Sequence, residues 1–420
     1  MKNNFLLVAA LVVASLVIFV NRNQSNNNID TLYFSAVPGQ KGGQDQFGPY
    51  EVVDGWPQDI AELPGNEAWT YGAGQSVFAE SPDRIFLLHR GELPNIEAPE
   101  REVYPEAGPA LSFPVAQLPW RNASVGPRAS LPGALEGDDT DRGEYGIDHR
   151  WTHCLVVVNR DGKIIEDWTQ WDSLFRRPHY VTINPYDPEK HVWVVDDFRH
   201  AIFKFTNDGS ELVQTIGIPN ESGNDETHFS RPTFMAFLPD AFFVADGYAN
   251  TRVVKFDNDG NYLMSWGEAG NPPNETRPGY MNNVHGIAVD VQTRRVFVND
   301  RANNRVQVFT ENGEYLDEWS FGDEPADIHL FYIGADNILW AADRATSKIL
   351  GYDLEGNFLY SWGVFGDFPG GMWGVHGLSV DQEGNFYVAE VGNGRVQKYR
   401  PRVGARPETM VGRPVYAAWQ

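Results

Sequence analysis

The sequence predicts an all-β fold, a six-bladed propeller, and three observations carry that expectation. The first is a repeat. Residues 283–309 read as a short apolar strand, a polar turn, a second strand ending in Asp300-Arg301, a tight Asn-Asn turn and a third strand closing on Phe309. Residues 375–399 copy this pattern, with Glu390 at the acidic position. Blocks at 178–205, 232–256 and 327–352 repeat its second half with Asp196, Asp246 and Asp343 there. These acidic positions lie 50, 54, 43 and 47 residues apart, the period expected of four-stranded blades. The second observation is a recurring strand end, Ser265-Trp266-Gly267, Glu318-Trp319-Ser320 and Ser361-Trp362-Gly363. A large aromatic at one position per blade fills the wedge between neighbouring sheets. The third is composition: 41 glycines, 27 prolines and 13% aromatic residues suit many short strands joined by turns.

Taken in order, the chain begins with an unbroken apolar run, Phe5 to Val20, behind Lys2. It is short for a membrane-spanning helix, which needs about 20 residues, and long for the apolar core of a signal peptide. No Ala-x-Ala pattern follows. Residues 1–20 are therefore expected to be an uncleaved signal anchor, with a cleaved signal peptide as the alternative. Either exports the body to the periplasm or the exterior, and the anchor would tether it to the membrane through residues 5–20. Residues 21–49, Asn-rich at their start, read as a flexible tether, and 50–401 as the propeller.

The alternating segment Tyr50–Trp56 has no partner near it in sequence. It is expected to complete the last blade, which otherwise has three strands, because an open ring leaves strand edges exposed. Blade one starts at Gly74 and runs to Gly91. A Pro- and Gly-rich insertion of about 92–146 interrupts it, of the length that makes a functional cover or a disordered segment. The blade resumes at Cys154–Val158 and Lys163–Trp168. Blades two to six follow at about 178–217, 232–267, 284–322, 326–363 and 375–400, and 402–420 reads as a surface tail. Turns such as Asn258-Asp259-Gly260, Glu311-Asn312-Gly313 and Glu355-Gly356-Asn357 are hairpin turns that tolerate positive φ.

Net charge is −24 with no long basic run, which argues against nucleic acid as a partner. Cys154 is the only cysteine, so no intrachain disulfide forms and packing alone must hold the ring. It is expected to be a small buried hydrophobe.

Three blades open their inner strand with histidine: His179 in Pro-His-Tyr-Val, His285 in Val-His-Gly-Ile and His376 in Val-His-Gly-Leu. These are blades two, four and six. The repeat alignment puts Gln75, Thr233 and Asp327 at that position in blades one, three and five. Alternate blades of a six-fold ring lie about 120° apart and their inner strands face the channel. The three imidazoles would then converge on one axial point, the arrangement of a metal with three protein ligands and an open position. Three separate structural histidines are the plainer alternative. His329 and His89 read as core or channel-wall residues, His200 and His228 as surface residues. Turns after the second strands return to the histidine face and bring Arg90, Tyr248 and Arg301 there; each is alternatively a solvated turn residue. The turn holding Tyr248 is one residue longer than its siblings, which lifts it over the mouth.

The runs Leu-His-Arg90-Gly, Pro-His179-Tyr-Val, Val-Ala-Asp-Gly-Tyr248-Ala-Asn-Thr-Arg, Val-His285-Gly-Ile and Asn-Asp300-Arg301-Ala-Asn-Asn-Arg occur in one order. In that order residues 74–400 resemble the peptidyl-α-hydroxyglycine α-amidating lyases, six-bladed propellers of the NHL-repeat class. The resemblance implies a zinc ion held by His179, His285 and His376, an active-site tyrosine at Tyr248 and two arginines at Arg90 and Arg301. It implies a peptide or related carbinolamide as substrate, split to an amide and glyoxylate. A Lewis acid suits removal of the carbinol proton. A tyrosine base needs positive charge beside it, because a phenol ordinarily titrates near 10. Arg90 and Arg301 would supply that charge or hold the substrate carboxylate.

The sequence departs from the family at Gly377, where an aspartate follows the third histidine and helps to hold a structural calcium, and in lacking the family's disulfides. The carbonyl positions of that calcium fall at Val77 and Val181. Without the carboxylate a tight calcium site is not expected, and Asp327 is the one nearby acid that might replace it. Two other functions stay open: a non-catalytic NHL propeller that binds a protein or glycan on its top face, and a metal-dependent propeller hydrolase of lactones or esters. Three axial histidines count against the hydrolase, whose class generally holds calcium with carboxylates and asparagine.

Overall fold

A blade sets three strands buried on both faces beside a fourth, more exposed outer strand, and that pattern builds a radial sheet. Blade four shows it. Val284–Asp290, Arg295–Asp300 and Arg305–Thr310 are almost wholly buried, whereas the outer strand Tyr315–Ser320 is mostly exposed. A computed structural model describes residues 45–96, 101–103, 112–114, 146–322, 326–416 and 419. In it six four-stranded antiparallel sheets form, one per predicted blade. Each inner strand packs on the next, and the sixth, Val375–Val380, returns to the first, Gly74–Ser81. The segment read as anchor, the tether up to residue 44 and most of the insertion lie outside the described residues, whereas the end of the tether is packed: Asp45 is buried and its carbonyl accepts the Gly363 N–H at 3.0 Å. Among the described residues no helix is long and apolar enough to cross a membrane.

Ring closure uses the segment that had no local partner. Tyr50–Val52 pairs antiparallel with Arg395–Pro401, Tyr50 opposite Pro401 and Val52 opposite Tyr399, and becomes the outer strand of blade six. Blade one is interrupted as its sequence suggests. Arg84–His89 pairs with Leu155–Val158 across the insertion, and Cys154, fully buried, precedes that strand.

The strand-ending tryptophans do join neighbouring blades. Trp168, Trp266 and Trp319 each lie against the turn glycine of the following blade, Gly209, Gly313 and Gly356. Those glycines have φ of 68°, 78° and 85°, and an added Cβ would fall 2.4–2.9 Å from the indole, so the position needs glycine for both reasons. Trp362 meets Tyr50, Phe386 and Tyr399 of blade six with ring centroids 5.4–5.7 Å apart. The acidic position of the repeat also has one structural task. Buried Asp300 accepts hydrogen bonds from the Asn282 backbone, Asn303 Nδ2 and Arg305 Nε. Glu390 does the same with the Trp373 backbone and Arg395 Nε. Each acid so anchors the loop that leads into its own inner strand.

The C-terminal segment is not a surface tail. Val411 and Tyr416 are buried, and the segment crosses the end of the channel opposite the loops just described. Tyr332 hydroxyl donates to Gly412 O (2.8 Å), Tyr416 hydroxyl to Ala79 O (2.6 Å) and Trp419 Nε1 to Asp187 O (3.0 Å), which ties blades five, one and two together. Apolar residues spaced along 411–419 anchor it without any repeat pattern that a periodicity argument could read. A cavity of about 410 Å³ lies at this end, lined by residues such as Tyr180, Phe237, Phe331 and Tyr416. It contains none of the axial histidines.

Beside the insertion, Glu92 is fully buried and accepts from Asn66 Nδ2 (2.9 Å) and Arg150 Nε (2.7 Å). His153 Nδ1 lies 2.7 Å from Glu92 and its Nε2 lies 3.3 Å from Asp167. Burial lowers the pKa of this imidazole, but hydrogen bonds to Asp167 and Glu92 outweigh it and raise the value to about 9. The pair's contribution is therefore fully present below the unfolded histidine pKa of about 6.5 and is lost as pH rises through about 9. Urea midpoints of the wild type should fall between pH 6.5 and 9.5 more than those of His153→Gln. Parallel slopes in the two proteins would rule out this coupling.

Candidate metal centre

The centre starts with a backbone irregularity that recurs in every inner strand. Pairing with the second strand slips once near its start, at Gln75 in blade one, His179 in two, Thr233-Phe234 in three, His285-Gly286 in four, His329 in five and His376 in six. A residue taken out of the ladder in this way is re-aimed, here toward the axis. Blade five therefore presents His329, not Asp327, at the histidine position. In blades two to six the residue that pairs with the repeat's acid precedes the slot, as Ile328 opposes Asp343 and Val375 opposes Glu390. Asp327 lies two residues earlier, on the rim. Variable loop lengths hid this, although His329 to Asp343 and His376 to Glu390 share one spacing.

His179, His285 and His376 come together, fully or almost fully buried, with one nitrogen from each within 4.8 Å of the others. Their orientation has a common cause. Nδ1–H of each donates to the backbone carbonyl of the slot residue in the next blade: His179 to Thr233 O (3.1 Å), His285 to His329 O (2.5 Å) and His376 to Gln75 O (2.8 Å). That sets the tautomer and leaves the Nε2 lone pairs facing the axis. The glycines after His285 and His376 allow their approach, since a Cβ on Gly286 would sit 3.0 Å from the Leu330 backbone and one on Gly377 2.8 Å from Ser76 Cα. Burial, followed by nearby imidazoles and the guanidinium groups of Arg90, Arg177 and Arg301, holds all three far below the usual imidazole pKa. Three neutral, preoriented nitrogen donors are the chemistry that a divalent transition metal requires, so these residues fit such an ion.

Tyr248 covers the cluster. Its hydroxyl donates to His285 Nε2 (2.8 Å) and lies 3.2 Å from His179 Nε2. Gly247 makes this possible: any Cβ there would overlap Val284 O at 1.4 Å, so only glycine lets the longer turn lie against blade four. Arg90 Nη2 donates to Gln75 Oε1 (2.7 Å), and Arg301 Nε donates to Asp327 Oδ1 (2.7 Å). The rim thus holds both arginines singled out in the sequence, each attached to a residue of an inner strand or its lead-in.

Sequence reasoning missed two guanidinium groups. Arg231 and Arg177 lie 4.5 and 5.3 Å from the Tyr248 ring centroid and share Asp197. Both occur as Arg-Pro two residues before the slot, the same rim position as Asp327, and that shared position was the available signal. His200, read as a surface residue, is buried, and its Nδ1 accepts the Arg231 backbone N–H at 3.1 Å. Its burial follows from a left-handed turn, φ 55°, that folds the ring under blade three's lead-in.

His329 adds a fourth imidazole to the axis, 5.0 Å between ring centroids from both His285 and His376. Burial and then the Arg301 charge lower its pKa to about 4, so it is neutral. Its Nε2 faces Asp327 Oδ2 at 3.4 Å, away from the three converging nitrogens. His329→Ala should therefore keep close to the wild-type metal content after dialysis, measured by atomic emission. Loss of most of the metal would make it a ligand. Asp327, once the candidate substitute calcium ligand, is engaged by Arg301, Arg344 and His329, and the tight seat of Gly377 leaves no room for a carboxylate there without displacement of blade one.

Comparison with known proteins agrees with the repeat reading. An NHL repeat model matches residues 372–399, and a 6-bladed beta-propeller model matches 281–364. Peptidyl-glycine alpha-amidating monooxygenase B of Xenopus laevis is 27% identical over 262 residues, 59% of this chain and 28% of that protein. Probable peptidyl-alpha-hydroxyglycine alpha-amidating lyase pgal-1 of Caenorhabditis elegans is 26% identical over 257 residues, 59% of this chain and 69% of that one. NHL repeat-containing protein 3 of Homo sapiens is 28% identical over 261 residues, 59% of this chain and 72% of that one. The chain thus spans little more than a quarter of the amphibian monooxygenase's length, and its resemblance to the amidating lyases is matched at distant identity.

Proposed function

We propose that this chain is a metal-dependent lyase, with zinc as the ion, that cleaves a peptidyl-α-hydroxyglycine or related carbinolamide to an amide and glyoxylate. The single observation that carries the reading is a tyrosine hydroxyl, that of Tyr248, within hydrogen-bond distance of two of three convergent, neutral imidazole nitrogens. His179, His285 and His376 would hold the ion, which when bound supplies Lewis acidity to the substrate's carbinol group. Tyr248, its own proton first released to solvent, would act as the phenolate and take the hydroxyl proton. As the carbon–oxygen double bond of glyoxylate forms, the carbon–nitrogen bond breaks, its electron pair goes to the amide nitrogen, and the proton ends there. No oxidant or second substrate is needed. Arg90 and Arg301 would hold the glyoxylate carboxylate by charged hydrogen bonds. Names of the distant relatives, which include amidating lyases, support the same reaction class.

A glyoxylate assay on an α-hydroxyglycine peptide, with metal content measured on the same preparation, tests this. Release of glyoxylate that chelation abolishes and zinc restores is the expected result; no release from a metal-loaded protein sinks the assignment. The second reading, a propeller that only binds a protein or glycan, draws on the match to NHL repeat-containing protein 3 and predicts that outcome. The apolar run at 5–20 supports export with a membrane tether as a further part of the proposal. Recovery of the full chain in the cytosolic fraction would contradict it.

A further inference from the structure

Arg177 and Arg231 come from different blades and share a single carboxylate. Arg177 Nε donates to Asp197 Oδ1 (2.7 Å) and Arg231 Nη2 to Asp197 Oδ2 (3.0 Å), with Asp197 fully buried. Two guanidinium groups against one carboxylate leave a net positive charge. Both also stack on Phe198, at 4.1 and 4.8 Å, which fixes their planes beside Tyr248. The Arg177 side chain is only 6% exposed, yet among the described residues its Nη groups make no hydrogen bond. These nitrogens are not sealed from solvent, so they stay open to a ligand at the mouth. Arg231 is held at φ 64°, a backbone region unfavourable for a side chain of this kind, by His200 and by the Tyr248 N–H that its carbonyl accepts at 3.2 Å. The molecule as a whole is strongly acidic, so a positive centre at the axial mouth is a local feature.

This pair is separate from Arg301, whose charge faces Asp327 on the far side of the cluster. It lies about one tyrosine ring's length from the histidine nitrogens, because its groups flank the ring whose hydroxyl touches them. Consecutive Cα atoms are about 3.8 Å apart, so a side chain on the residue before the reacting glycine spans that gap. We propose that the substrate carries a second anionic group, a carboxylate on the residue preceding the hydroxyglycine, and that Arg177 and Arg231 receive it. The proposal rests on the lyase reading for the identity of the reacting residue. Guanidinium forks bind carboxylates bidentately, which makes the preference one for acidic over merely polar side chains.

The test compares acetyl-Glu-α-hydroxyglycine with acetyl-Gln-α-hydroxyglycine, which match in shape and differ in charge. Wild type should favour the Glu substrate at least about tenfold in kcat/KM at low salt, as expected of one charged bidentate contact. In Arg231→Gln that ratio should fall close to one, and Arg177→Lys, which keeps the charge but loses the fork, should lower it as well. Equal rates in wild type, or an undiminished ratio in both variants, overturns the proposal. Calorimetry with the unhydroxylated acetyl-Glu-Gly and acetyl-Gln-Gly separates the two levels of inference. If neither substrate yields glyoxylate, the lyase reading fails; tighter, Arg231-dependent binding of acetyl-Glu-Gly then supports the anion subsite, and equal binding of the two dipeptides overturns it.

Discussion

His179→Ala, His285→Ala and His376→Ala should each leave a folded ring that no longer retains a divalent metal. Every one removes a third of a nitrogen donor set in which the three members are held alike, Nδ1–H on a neighbouring carbonyl and Nε2 toward the axis. Loss of an outer-shell partner alone costs about 10–100-fold in metal affinity, so loss of a direct ligand should cost more than about 100-fold. The substitutions also orphan a buried carbonyl, at Thr233, His329 or Gln75, with a penalty of about 1–3 kcal/mol each. That is small beside the packing of six blades, so circular dichroism should stay close to wild type. Atomic emission after dialysis reads the metal directly. Full retention in any two of the three variants would remove the metal centre as described.

Tyr248→Phe should have the second largest effect, and of a different kind. Phenylalanine keeps the ring between Arg177 and Arg231 and removes only the hydroxyl that meets His285 Nε2. Metal content should be unchanged while kcat falls by about 10²–10⁴-fold, the usual contribution of a positioned acid–base group. KM should move little, because the guanidinium groups proposed to bind the substrate remain. Normal turnover in this variant would assign the proton transfer elsewhere even if glyoxylate release is confirmed. A loss of metal together with activity would instead make the tyrosine a structural part of the centre.

Much of this site was legible because propeller geometry turns sequence period into spatial coincidence. Three histidines at the start of alternate inner strands had to meet, since those strands surround one axis. Tyr248 stood out through one extra residue in its turn, and Arg90 and Arg301 through their place after the second strand. Arg177 and Arg231 did not stand out, because a basic residue in a loop is ordinarily solvated and nothing local reveals that two such loops from different blades meet at one aspartate. The slot of blade five was given to Asp327 for a related reason: the lead-in loop of blade five differs in length from its neighbours, and only the pairing of Ile328 with Asp343 sets its register, which puts His329, read as a core or channel-wall residue, in that slot.

By itself, then, the sequence determined the all-β class, the six blades, closure by a strand from the segment Tyr50–Trp56 and the convergence of three imidazoles. Each follows from a period or from a strand lacking a partner, and these are properties written along one dimension. Tertiary structure alone decided that His329 and not Asp327 fills the slot of blade five, the Arg177–Asp197–Arg231 group beside Tyr248 and the burial of the C-terminal segment. These depend on loop registers and on contacts between residues tens to hundreds of positions apart. No local propensity encodes such contacts; they arise only once closure of the ring has brought the blades' rims and lower ends together.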